Sequence, residues 1–217
     1  ILAAGRGERL GVLTKAKPKP LLEVGGESLI ERHLRRLRAA GFDEVVINLS
    51  YLGELIRAAL GDVSAWGQKI SYSEEPSPAL ETGGGIINAL SLFERERFLV
   101  VNADIYTEFD FSTLACDGHE AAMMLVPNPD HHPEGDFGVS TAGTMTIEGP
   151  HYTYGGVAVF SPSIFADFPP GRRPLRPILD AAIRRGVVRG AVYDGLWQDV
   201  GTPARLAEIR SRTATAR

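Results

Sequence analysis

Apolar residues recur along this chain at two spacings that take turns, one helical and one extended. Ile30, Leu34 and Leu37 fall on one face of a helix that Ser28 and Glu31 open as a capping box and Gly41 stops. The β-branched run from Val45 to Leu49 predicts a strand. Leu52, Leu55, Ile56, Ala59 and Leu60 then return at helical spacing up to Gly61. Ile70 to Tyr72 reads as a short strand, Ile86 to Phe93 as a helix, and Phe98 to Val101 as a continuous apolar strand of the kind covered on both faces. Strand and helix in alternation predict a parallel sheet covered by helices, with ligands held beyond the carboxyl ends of the strands. After Ala121 the pattern changes. Ala121 to Val126, Phe137 to Ser140, Thr144 to Ile147 and Gly156 to Phe160 are strand candidates with only turn residues between them, which predicts antiparallel additions. A helix from about Leu175 to Arg185 and another after Thr202-Pro203 complete the elements. With no internal repeat or long linker, the expectation is one α/β domain: a mixed, mostly parallel central sheet, helices on both faces, and antiparallel additions in the second half.

The 217 residues are 44% hydrophobic and 23% charged, ordinary for a globular protein and incompatible with a disordered or coiled-coil chain. The net charge of −4 argues against a general nucleic-acid binder. The single cysteine, Cys116, removes a disulfide framework and a four-thiolate zinc site, and reads as an inert small side chain. The apolar runs are too short to cross a membrane, and nothing reads as a signal peptide. A soluble, cytoplasmic protein is expected. The chain opens at Ile1 without a methionine, so a few native residues are expected to precede it.

The opening changes this picture. Residues 1 to 20 carry Arg6, Arg9, Lys15, Lys17 and Lys19 against Glu8 alone, and Gly5, Gly7 and Gly11 are interspersed. Glycines let backbone N–H groups approach phosphate oxygens and cations neutralise them, so an anion is expected here. The spacing G-x-G-x-x-x-G is one residue too long for the dinucleotide fingerprint, and no Gly-Lys-Ser or Gly-Lys-Thr follows as a P-loop requires. Taken alone, the stretch also reads as a glycine turn with a solvated basic face.

Five blocks in order extend the signal: Leu2 to Leu10, Pro18-Lys19-Pro20-Leu21, Leu80-Glu81-Thr82-Gly83-Gly84-Gly85, Val101-Asn102-Ala103-Asp104, and Trp197-Gln198-Asp199-Val200-Gly201-Thr202. Together they resemble the sugar-1-phosphate nucleotidylyltransferases over nearly the whole chain. The short length, the L-E-T-G-G-G block, Asn128-Pro129-Asp130-His131-His132 and Gly135-Asp136-Phe137 look most like the members that act as N-acetylmuramate-1-phosphate uridylyltransferases. The resemblance implies a Rossmann-like nucleotidyltransferase fold, with residues 1–115 mainly binding nucleotide and residues 116–217 mainly binding sugar. It implies transfer of a uridylyl group from UTP to a sugar 1-phosphate with release of pyrophosphate, in peptidoglycan recycling.

Such a reaction joins two polyanions, so positioning and charge neutralisation are its expected means. Asp104 directly follows an apolar strand, where a carboxylate suits Mg²⁺ or caps the next segment. The resemblance favours the metal and makes Asp199 its second ligand. It assigns Arg9 to the β- and γ-phosphates and Lys19 to the α-phosphate, and it leaves Arg6, Lys15 and Lys17 to a solvated rim. Ala3, Ala4 and Gly5 are expected to form one wall of the base pocket, with Gly7 also binding nucleotide; Glu81, Thr82, Gly83 and Gly84, read as a glycine loop capped by Thr82, are expected to form the other. Asn128, Asp136, Glu148, Gly155 and Gly156 are expected to line the sugar pocket. His131-His132 reads as solvated or substrate-contacting, since adjacent side chains on a proline-rich loop are poorly placed to share one ion.

Three departures from the family pattern are visible. Gly11-Val12 replace an Arg-Pro or similar pair, Ala103 replaces the usual glycine before the metal Asp, and Glu148-Gly149-Pro150 lacks the lysine that elsewhere meets the sugar phosphate. None of the chain's four lysines lies beyond Lys69, which leaves the metal, Lys19 or arginines such as Arg172, Arg173 and Arg176 for that phosphate. A mannose-1-phosphate guanylyltransferase or glucose-1-phosphate thymidylyltransferase is the alternative within the class. A nucleotide-sugar-binding module without catalysis and a nicotinamide dehydrogenase are the alternatives outside it.

Overall fold

In chain order the strands are β1 (Glu23–Val24), β2 (Glu27–Ser28), β3 (Glu44–Leu49), β4 (Lys69–Glu74), β5 (Phe98–Val101), β6 (Ile105–Thr107), β7 (Ala121–Val126), β8 (Phe137–Val139), β9 (Met145–Thr146), β10 (His151–Phe160), β11 (Val188–Val192) and β12 (Trp197–Asp199). The helices are α1 (Leu29–Ala39), α2 (Gly53–Leu60), α3 (Glu81–Ala89), α4 (Arg176–Arg184) and α5 (Pro203–Thr215), with short 3-10 helices that include Glu8–Thr14 and Lys19–Leu21. The computed structural model describes residues 1–93, 95–149 and 151–215. Pro150 of the Glu148-Gly149-Pro150 motif falls outside them. No helix among the described residues is long and apolar enough to cross a membrane.

Two compact units alternate along the sequence: Ile1–Ala79 with Asn102–Phe111 and Gln198–Arg217, and Leu80–Val101 with Ser112–Trp197. In the first, β3 and β4 pair in parallel from Glu44 opposite Lys69 to Leu49 opposite Glu74. Leu2 makes single parallel bridges to Asn48 and to Asn102, so the start of the chain runs between these two residues. β12 pairs with β6. The helix expected from Ser28 forms with its full capping box: Ser28 Oγ accepts from the Glu31 N–H at 3.3 Å and Glu31 Oε2 accepts from the Ser28 N–H at 3.1 Å. Its apolar face places Leu29, Ile30 and Leu34 in a core with Ile47, Leu49 and Ile56. Each such side chain contributes roughly 1.5–3 kcal/mol by leaving water.

The second unit holds a six-stranded mixed sheet in the order β11-β7-β10-β8-β9, with β5 also on β10. β11 and β7 are parallel; β10 is antiparallel to β5, β7 and β8. Parallel pairing thus characterises the long ladder of the first unit, and antiparallel pairing most of this sheet. β7 is buried along its whole length, which is why its sequence is uninterruptedly apolar. The register of β10 against β7 shifts between Tyr154 and Ala158, a bulge at which Gly156 has φ +76°.

β1, β2 and β6 have no counterpart in the sequence expectation, and three elements of the second unit also differ from it. The helix expected from Ile86 begins at Glu81, β10 begins at His151 and not at Gly156, and β11 was not anticipated, its alternation being broken by Arg189 and Gly190. The glycines that read as a loop ahead of α3 lie inside it. Tertiary contact explains this: a methyl group on Gly83 would lie 2.8 Å from the Pro174 carbonyl, and one on Gly84 would overlap the Gly171 carbonyl oxygen. Close packing against residues 171–174 outweighs the poor helix propensity of glycine. Thr82 does not cap the helix; Leu80 precedes it without a side-chain cap.

Candidate active site

In the first unit the glycine-rich opening leaves the sheet at Ala3. Ala3 and Ala4 are buried, Gly5 is exposed and Gly7 half-buried. Residues Glu8–Thr14 then form a 3-10 helix broken at Gly11, whose φ of 58° and ψ of −122° exclude ordinary side chains. Thr14 Oγ1 donates to the carbonyl of Gly7 at 3.0 Å, or to that of Gly11 at 3.3 Å, and so ties the segment to itself. Arg9 is exposed on it.

Lys19 lies between two buried prolines, Pro18 and Pro20. The fixed φ of these prolines stiffens the backbone beneath a side chain that is itself only 8% exposed. Its ammonium donates to Asp104 Oδ2 at 2.5 Å, across 85 residues of sequence. The Asp104 carbonyl accepts from the Val200 N–H at 2.7 Å, so the segment bearing Asp199 runs beside the one bearing Asp104. The two carboxylate-bearing stretches expected to share a metal therefore meet along their backbones.

Asp199 is gripped by a residue that sequence reasoning missed. Arg205, in the first turn of α5, donates through Nη1 to Asp199 Oδ1 at 2.8 Å, and both side chains are largely buried. The Arg205 N–H donates to Thr202 Oγ1 at 3.3 Å. A methyl group on Gly201 would lie 3.0 Å from Arg9 Nη2 and 3.0 Å from Asp199 Oδ2, and nearer still to Arg205 Nη2. Arg9, Asp199 and Arg205 thus converge where Gly201 has no side chain. An arginine in the first turn of a helix reads from sequence as a solvated charge, and only the fold turns it onto Asp199.

Among the described residues no three His, Cys, Asp or Glu side chains are grouped to hold a metal. Two hard carboxylates are nonetheless the donor set that Mg²⁺ takes from protein when phosphate oxygens and water complete its shell. The pair fits that ion.

Behind this site the buried His33 ring on α1 packs near Phe111. Burial, reinforced by the neighbouring Arg32 guanidinium, pushes its pKa down to about 3.

The second unit carries the remaining expected residues. Glu81 starts α3 with φ +61°, rare for a residue with a side chain, and its carboxylate pairs with Arg172 at 2.8 Å. Thr82 and Gly83 follow in the first turn. The Gly84 N–H donates to the Arg173 carbonyl at 2.9 Å, and the Arg173 N–H to the Leu80 carbonyl at 2.8 Å, so the amide of Gly84 is engaged within the protein. Asn128 holds its own loop: Nδ2 donates to the Pro133 carbonyl at 2.9 Å and Oδ1 accepts from Thr153 at 3.0 Å. Asp136 accepts from the Tyr154 N–H at 2.8 Å, and His132 Nε2 lies 3.2 Å from its other oxygen. Glu148 is exposed, and the Gly155 carbonyl accepts from Trp197 Nε1 at 2.8 Å. Arg176 is paired with Asp180 at 2.7 Å and lies over the Phe137 ring. Cys116 is buried, which pushes its thiol pKa up.

Known proteins match along this whole arrangement. The family model for Nucleotidyl transferase matches residues 1–216. The N-acetylmuramate alpha-1-phosphate uridylyltransferase of Neisseria meningitidis serogroup B is 45% identical over 97% of this chain and 96% of its own. The protein of the same name from Caulobacter vibrioides is 35% identical over 100% and 96%. Among solved structures, a UDP-glucose pyrophosphorylase from Acinetobacter baumanii superposes with a TM-score of 0.84 over 100% of this chain and 93% of its own, at 16% identity, which speaks for the fold alone.

Proposed function

As a member of the nucleotidyl transferase family, and so a nucleotidyltransferase enzyme, the chain, we propose, transfers the uridylyl group of UTP to N-acetylmuramic acid 1-phosphate in the presence of Mg²⁺, in cytoplasmic peptidoglycan recycling. A phosphate oxygen of the sugar attacks the α-phosphorus in line, the bond to the β-phosphate oxygen breaks, and pyrophosphate leaves. The observation that carries the reading is the convergence in the first unit of Lys19, Asp104 and the Asp199 segment, drawn from three distant stretches of sequence. The 45% identity to a relative so named supports the choice of base and sugar.

Lys19 neutralises the α-phosphate as charge develops on it, and its buried stem and flanking prolines keep the ammonium from wandering. Arg9 offers a planar fork to the two phosphates that depart. Ala3 to Gly7 in the first unit, and Glu81 to Gly83 in the second, are each assigned to the nucleotide. Gly84 serves in packing as well as in that block. Asp104 and Asp199 hold Mg²⁺, which when bound supplies charge neutralisation on the phosphate oxygens. Asn128, Asp136, Glu148, Gly155 and Gly156 are assigned to the sugar; for Asn128 and Asp136 the contacts above support a role in holding the loop assigned to it.

The test is pyrophosphate release from four nucleotides against a panel of sugar 1-phosphates. UTP with N-acetylmuramic acid 1-phosphate should turn over fastest, and faster GTP or dTTP turnover would overturn the uridine assignment. Asp104→Asn and Asp199→Asn should each lower kcat/KM by about a hundredfold or more, as expected for lost charge stabilisation; unchanged turnover in both removes the metal pair.

A further inference from the structure

Asn48, near the end of β3 and 5% exposed, fastens the start of the chain. Its N–H donates to the Ile1 carbonyl at 3.2 Å, its backbone bridges Leu2, and its side-chain Oδ1 accepts from the Ala3 N–H at 2.5 Å. On the other side of the same segment the Ala103 N–H donates to the Leu2 carbonyl at 3.0 Å. At Ala3, then, the acceptor next in line is a side-chain amide where a ladder would use a backbone carbonyl. This marks the point at which the glycine-rich stretch departs from its neighbours.

An amide side chain has a donor end and an acceptor end, and only one orientation serves Ala3. Asn48 Nδ2 donates to Glu75 Oε1 at 2.5 Å, and an ionised carboxylate can only accept, so Glu75 fixes Oδ1 toward the Ala3 N–H. Glu75 follows β4, is 9% exposed, and is tied in place by its own N–H to the Leu49 carbonyl at 2.8 Å. It is the carboxylate residue that the first unit buries among the described residues. Such burial is costly, and none of the steps given to Lys19, Arg9, Asp104 or Asp199 uses it. A costly group that aims another is the mark of a positioning device.

We propose that Asn48 and Glu75 are positioning residues for the nucleotide: the carboxylate orients the amide, the amide pins Ala3, and the pinned residue sets where the stretch from Ala4 to Gly7 begins and which way it runs. The inference rests on the reading of Ala3 to Gly7 as a nucleotide contact and extends it to two residues that touch no substrate.

The experiment combines hydrogen–deuterium exchange on the substrate-free protein with steady-state kinetics on Asn48→Ser, Glu75→Leu and Glu75→Gln. In Asn48→Ser and Glu75→Leu the amides of residues 2–7 should exchange about tenfold faster or more, while those of α1 keep the wild-type rate. In both variants KM for UTP should rise about tenfold, with KM for the sugar 1-phosphate within about twofold. Glu75→Gln keeps an acceptor oxygen for Nδ2 and should recover most of the loss. The proposal is overturned by wild-type protection of residues 2–7 in both disruptive variants, or by KM for both substrates rising to the same extent while kcat falls. It is equally overturned by a Glu75→Gln no better than Glu75→Leu. Should Glu75→Leu not fold, Asn48→Ser against Glu75→Gln makes the same comparison. A wild-type protein that releases no pyrophosphate from UTP condemns the proposed reaction; an active wild type whose variants keep the nucleotide KM condemns this inference.

Discussion

Two glycines in this protein look alike in sequence and do different work. Gly84 lacks room for a methyl group because backbone surrounds it, the Gly171 carbonyl oxygen and the Arg173 nitrogen, which cannot step aside. Gly201 is crowded by the ends of Arg9, Arg205 and Asp199, which can. Gly84→Ala should therefore cost about 1–3 kcal/mol of stability by overpacking, read as a lower urea midpoint. Gly201→Ala should cost less than about 1 kcal/mol but lower kcat/KM about tenfold or more, because the groups it displaces are those assigned to the reaction. His33 gives a third measurable consequence. Its pKa is about 3 when folded, against an ordinary value of 6.5, so below pH 6.5 the unfolded chain takes up a proton that the native one refuses. The stability that the neutral ring contributes is complete above pH 6.5 and drains away by up to about 1.4 kcal/mol per pH unit as the pH falls toward 3. Urea titrations at pH 7, 6 and 5 should show this slope, and His33→Leu should flatten it relative to wild type.

At the level of elements, what was legible in the sequence was what local chemistry decides. α1 was readable because Ser28 and Glu31 satisfy each other's backbone within one turn. The same locality makes it testable: Ser28→Ala should cost about 1 kcal/mol and lower the melting temperature by roughly 2–4 °C. α3 was misread because Gly83, Gly84 and Gly85 argue against a helix until residues 171–174, almost ninety positions away, come to lie on them. β11 was overlooked for the same reason, as its partner β7 lies far back in the chain. Lys19, Asp104 and Asp199 were named through a pattern of motifs, and the fold brings their stretches together. Arg205, Asn48 and Glu75 belong to no such pattern, and a polar residue in a strand or a first helical turn is, by sequence, indistinguishable from a solvated one.

Across the whole molecule, charge is unevenly dealt. The chain is net negative by 4, yet its first twenty residues hold five cations and one acid. Of these, Lys17 pairs with Glu23 at 2.9 Å on the surface and Arg6 lies over the Tyr51 ring, while Lys19 is buried. An exposed cationic opening on an acidic protein attracts a triphosphate through solvent, and salt screens that attraction. Raising ionic strength from about 50 to about 200 mM should raise KM for UTP severalfold, while kcat, assigned above to the buried lysine, should move less than about twofold.

The first unit is assembled from three separate stretches, and the last of them, from Gln198 onward, brings Asp199 and Arg205. A ribosome delivers that stretch only after every residue of the second unit has left the exit tunnel. A nascent chain halted before it has Lys19 and Asp104 but neither the second acid nor the helix that steadies it. On the proposed assignment, a copy cut short before Gln198 lacks half of its metal-holding pair and should spend no nucleotide, so the stretch works as an ignition key.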